Sequence, residues 1–158
     1  MCTLRVHGER AAYFGMKAGR QTTLRRHTAI SGIGVHTGSA ATLTILPAAA
    51  DTGIVFVRCG EGGQPDREIR ADVRAVTATE FATVLGDAEG PLCSTAEHVL
   101  AALSGLGVDN AVIEIDGPEV PIMDGSAAPF LQIIEHAGTT YHSFQCGPTA
   151  SAHLKHHL

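Results

Sequence analysis

Ser94-Thr95-Ala96-Glu97-His98, with the apolar run at residues 99–103 behind it, constrains this chain more than any other stretch. A hydroxyl residue three positions ahead of a Glu, just before apolar residues, marks a helix start. Ser94 can accept the backbone N–H of Glu97 while Glu97 reaches back to the N–H of Ser94. Gly105 and Gly107 offer a stop, which predicts a helix of roughly ten residues. Glu97 and His98 then stand side by side in the first turn, at the positive end of the helix dipole. A carboxylate beside an imidazole at the end of an element can supply a general base and a metal ligand. A capping Glu and a structural His are the more ordinary account of the same pair. The residues alone leave both readings open.

Most of what surrounds this helix reads as β. Residues 22–30 read as one strand, and 31–38, punctuated by Gly32, Gly34 and Gly38, as a turn. Residues 41–46 alternate with Leu43 and Ile45 on one face, and Pro47 ends them, so the sum is a hairpin. The glycine-rich turn runs into a strand rather than a helix, so neither phosphate-binding fingerprint applies. His36 sits at its apex without a role that spacing can assign. Further strands are expected at 54–58, within 68–76 and at 81–85, with loops at 60–66 and 86–90. Residues 110–116 form the clearest strand, with Ala111, Ile113 and Ile115 on one face. Pro118 and Pro121 keep 119–123 extended. A second helix opens at Asp124-Gly125-Ser126, with Ser126 as its cap and Pro129 in the first turn. Phe130, Leu131, Ile133, Ile134 and Ala137 give it an apolar stripe, read as core packing, and Gly138 stops it. The pattern predicts an α+β fold: a mostly antiparallel sheet with two helices packed on one face, a two-layer sandwich.

Composition excludes several classes. A chain of 158 residues with 44% hydrophobic and 17% charged residues suits one globular domain. Aromatics are 4% and Trp is absent, so Ala, Val, Ile and Leu must build the core. A net charge of −5 gives no electrostatic case for nucleic acid. No apolar run reaches the length of a membrane span, and residues 1–20 lack the apolar centre of a secretory signal. Cys2, Cys59, Cys93 and Cys146 form no paired motif and read as reduced thiols of a cytoplasmic protein. Residues 1–21 form a basic lead-in: a loose segment or an organelle-targeting one, the scarcity of acids favouring the latter and the scarcity of hydroxyls opposing it. Five of nine histidines fall in the last 23 residues, which read as a metal-binding or a merely solvated tail.

Four strings carry a resemblance. They are Gly32-Ile33-Gly34-Val35-His36-Thr37-Gly38, Ser94-Thr95-Ala96-Glu97-His98, Gly105-Leu106-Gly107-Val108-Asp109-Asn110 and Pro121-Ile122-Met123-Asp124-Gly125-Ser126-Ala127-Ala128-Pro129-Phe130. In this order, residues 22–138 resemble the N-terminal domain of the UDP-3-O-acyl-N-acetylglucosamine deacetylases, zinc amidases of bacterial lipid A biosynthesis. The resemblance implies that Glu97 is the general base and His98 a zinc ligand. It implies a UDP-linked acylated glucosamine as substrate, with acetate and the free amine as products. Asp124-Gly125-Ser126 looks like a scaffold turn.

The departure from the family is the second domain. In the family it supplies two further zinc ligands, a His and an Asp four positions later, and a His that steadies the oxyanion. Residues 139–158 show no such pattern. His153 and His157 are four apart, and with His156 they make a His-rich tail instead. Only His98 is assured as a ligand, so the zinc site is expected to be incomplete in this chain and a second domain or subunit to complete it. The expected function is zinc-dependent deacetylation by a truncated or single-domain member. The alternative is a non-catalytic lone domain that binds a sugar nucleotide or a protein partner.

Overall fold

The computed structural model describes residues 20–60 and 66–142. Residues 21–142 form one compact unit. The basic lead-in up to residue 19, most of the 60–66 loop and the histidines His153, His156 and His157 lie outside the described residues.

Strand alternation builds the central sheet. β2 (Thr28–Ile33) and β3 (Ala40–Pro47) form the expected hairpin, and β4 (Ile54–Arg58) and β5 (Arg67–Arg70) form another. β9 (Ala111–Ile115) lies between the two hairpins, giving the order β2-β3-β9-β4-β5, antiparallel everywhere except between β4 and β9. Register aligns Ile45, Ile113, Phe56 and Ile69 in one transverse row. The first three are fully buried and Ile69 nearly so. This row is the floor of the core. α1 (Glu97–Gly105) covers it with Val99 and Leu103, and α2 (Ala128–Ala137) with Phe130 and Ile134, all in one apolar cluster with the strands. Each helix buries one stripe and the sheet one face, which is why two layers suffice. The architecture is the two-layer α+β sandwich expected.

Several boundaries differ from the sequence pattern. The single strand expected over 22–30 is two, β1 (Thr22–Leu24) and β2, in different sheets. Arg25, Arg26 and His27 are exposed and turn the chain between them. All three residues of β1 are buried, because it pairs with β10 (Thr139–Tyr141) on one side and bridges Asn110 on the other, so no alternation survives. The described fold thus continues past Gly138.

The strand expected at 81–85 is shifted to β7 (Val84–Asp87), which pairs with β6 (Val76–Ala78) and β8 (Gly90–Cys93) in a small meander. Phe81 precedes it, 92% exposed and at φ +64°. Gly86 belongs to the strand because the Gly90 carbonyl lies 2.8 Å from where a Cβ would stand, a closeness only glycine permits.

Candidate active site

α1 begins at Glu97, but not by the expected capping box. Its cap position is Ala96, and no side chain bonds to the first-turn amides. Ser94 is occupied elsewhere: its N–H donates to the Pro118 carbonyl and its carbonyl accepts from Val120, both at 3.0 Å. Those bonds lay residues 94–95 alongside 118–120 as a short parallel bridge. Thr95 then turns the chain into the helix at φ +59°, a backbone region in which a β-branched residue is strained. The far end matches expectation more closely. Gly107 adopts φ +65°, and the N–H of Val108 closes onto the Leu103 carbonyl at 2.9 Å, a Schellman-type ending.

Freed from capping, the Glu97 carboxylate accepts the backbone N–H of Thr83 at 3.0 Å through Oε2. Glu97 and His98 are both half-buried, adjacent on the first turn. Asp124 lies in the turn before α2. Its carboxyl lies below the usual aspartate value, first because the Ser126 hydroxyl and N–H donate to it at 2.8 and 2.9 Å, and further because of the charge on His98. Ser126 Oγ in turn accepts the N–H of Ala128 at 3.1 Å, but the cap position of α2 is Ala127, which makes no side-chain cap bond, so the cap expected at Ser126 is not the one formed.

One residue that the sequence pattern did not single out proves central. Glu119 is 1% exposed, yet its carboxylate accepts four donors. The N–H of Thr37 and the Thr37 hydroxyl each donate to Oε2 at 2.8 Å, the N–H of His36 is shared between both oxygens, and the Thr95 hydroxyl donates to Oε1 at 2.9 Å. Burial alone would raise its carboxyl, but the bonds from Thr37, His36 and Thr95 outweigh that and hold it below the ordinary glutamate value. The glycine-rich turn is therefore an anchored loop, closed by Gly38 N–H to Gly34 carbonyl at 2.9 Å, with the His36 side chain exposed at its apex. A carboxylate between Pro118 and the apolar Val120 was the available hint.

Ligands for a metal are sparse. Among the described residues, no group of three or more His, Cys, Asp or Glu side chains is placed to hold an ion. Cys93, next to Ser94, is buried, and burial pushes its thiol up to about 12, so it remains protonated packing. The expected ligand His98 is a single donor, short of the three that a catalytic zinc takes from protein. No helix among the described residues is long and apolar enough to cross a membrane.

Comparison with known proteins identifies the family. The family model described as UDP-3-O-acyl N-acetylglycosamine deacetylase matches residues 21–150. The chain is 52% identical over 118 residues to the UDP-3-O-acyl-N-acetylglucosamine deacetylase of Phenylobacterium zucineum, a match covering 75% of this chain and 40% of that protein. It is 46% identical over 119 residues to the enzymes of the same name from Actinobacillus succinogenes and Vibrio cholerae, covering 75% of this chain and 38% of each. The chain thus spans about two fifths of the length of these curated relatives. Over the residues that build the sheet, both helices and the Glu97-His98 pair, it belongs to the UDP-3-O-acyl-N-acetylglucosamine deacetylase family.

Proposed function

We propose that this chain contributes the general base and one zinc ligand to deacetylation of UDP-3-O-acyl-N-acetylglucosamine, a step of lipid A biosynthesis in the cytoplasm. The carrying observation is the first turn of α1, where Glu97 and His98 stand together with Glu97 released from capping and directed to Thr83. Family membership and the activity for which the relatives are named supply the substrate. Glu97 takes a proton from the attacking water and delivers it to the departing nitrogen, so that water adds at the acetamide carbon, the C–N bond breaks, and acetate and the free amine result. His98 serves as a ligand, with the Asp124 turn as a nearby negative charge. Zinc, when bound, would polarise the acetamide carbonyl. Its remaining ligands come, on this reading, from a further domain or subunit.

The deciding experiment is zinc titration of the purified chain beside His98→Ala, followed by assay of acetate release. Stoichiometric zinc that disappears in His98→Ala supports a site built on His98. Weak zinc, indifferent to that substitution and unimproved by the remaining three fifths of a relative added in trans, would overturn the enzyme reading and favour a lone domain that binds a sugar nucleotide or a protein.

A further inference from the structure

We propose that Glu119 is a positioning residue that couples the His36 loop to the helix start carrying Glu97 and His98, so that both move as one body. Its carboxylate joins two segments far apart in sequence. On one side it takes the N–H groups of His36 and Thr37 and the Thr37 hydroxyl. On the other it takes the hydroxyl of Thr95, two residues before Glu97.

Three observations make this a coupling rather than an isolated anchor. First, the two oxygens are divided: Oε1 serves Thr95, Oε2 serves Thr37, and the His36 N–H bridges both. A shift on one side reaches the other through a single rigid, planar group. Second, Thr95 holds a left-handed conformation that costs a β-branched residue energy, and its Oγ1–Glu119 bond is buried. Such strain persists only where the surroundings over-determine it. Third, the strand-like segment on which Glu119 rides is tied on both sides. Ile122 donates to the Ile33 carbonyl at the end of β2, and Val120 donates to the Ser94 carbonyl, each at 3.0 Å. Gly34 leaves no room for adjustment, since a Cβ there would run into the Glu119 carboxylate and come within 2.6 Å of Thr37 Oγ1. The significance of this coupling for hydrolysis rests on the deacetylase reading, whereas the coupling itself needs neither substrate nor metal.

Amide hydrogen exchange of the full chain, followed by NMR, tests it. The reporters are His36 and Thr37 on the loop side, Ser94 and Leu100 on the helix side, and the amides of β3 and β9 as an internal standard. In Thr95→Val, which keeps shape and strain but removes the hydroxyl, exchange at His36 and Thr37 rises about ten-fold, the loss expected for one buried hydrogen bond. In Glu119→Gln, exchange rises at both sets of reporters, with the β3 and β9 amides unchanged. Thr95→Ser, which restores the hydroxyl, returns the loop amides to wild-type rates. Loop amides indifferent to Thr95→Val, or acceleration spread equally over β3 and β9, would overturn the coupling. If Glu119→Gln does not fold, the Thr95 pair decides alone. Failure here leaves the zinc titration to stand or fall on its own result.

Discussion

The Glu97 carboxylate is held by the backbone N–H of Thr83, 3.0 Å away, and not by its own helix. A capping-box glutamate spends its oxygens on an amide of the same segment. This one reaches across to the chain entering β7, which leaves its second oxygen free of the helix and fixes the carboxylate at the edge of the site.

Glu97→Gln therefore separates chemistry from folding. The amide oxygen can still accept from Thr83, so the thermal midpoint should move by less than about 4 °C, the equivalent of under about 1 kcal/mol in a domain this size. Acetate release, measured with the completed site, should fall by roughly 10²–10⁴-fold, the usual worth of a positioned general base. Unaltered turnover would remove Glu97 from the mechanism.

Acid should reveal the Glu119 clamp. Its folded-state carboxyl lies below the ordinary glutamate value, so the ionised form is favoured by folding. That contribution is complete above the unfolded-state value of about 4.3 and is lost as pH falls through the folded-state value. Chemical denaturation from about pH 6 down to pH 3 should show wild-type stability declining below about pH 4.5. Glu119→Gln should start lower and decline less. Parallel curves for the two proteins would refute the assignment.

Two glycines of one loop should respond oppositely. Gly34→Ala drives a methyl into Glu119 and Thr37, and overpacking of this kind costs about 1–3 kcal/mol. Gly38 stands at φ +66° with nothing within 4 Å of a Cβ. Gly38→Asn, a residue that tolerates this region, should stay within about 0.5 kcal/mol of wild type. Urea midpoints of the two variants make the comparison.

The core and the surface offer a similar contrast among phenylalanines. Phe56, fully buried in the transverse row, should cost about 3–5 kcal/mol on replacement by Ala. Phe81, 92% exposed, should change stability by less than about 0.5 kcal/mol on replacement by Ser. Thermal unfolding reads both.

Where a segment meets one partner layer, its pattern was readable. β3 and β9 fall within a residue or two of their expected limits because one face is core and the other is not, and period-two alternation records that difference directly. The stripe of α2 was legible for the same reason. β1 was not, because it is buried on every side and its three residues carry no alternation. β7 was displaced because Gly86, an ordinary turn residue by composition, is needed for close packing against Gly90.

By itself, the sequence determined the α+β layering, the family and the adjacency of Glu97 and His98, since periodicity, spacing and neighbouring positions are one-dimensional properties. The tertiary structure alone decided that Ser94 would not cap its helix and that Glu97 would turn to Thr83. It also decided that Glu119 would gather His36, Thr37 and Thr95 around one buried carboxylate. A hydrogen bond between residues 24 or 83 positions apart leaves no trace in local pattern. Each donor and acceptor takes the best partner that the packed chain brings within reach, and a buried carboxylate must find several of them or lose the free energy of its hydration.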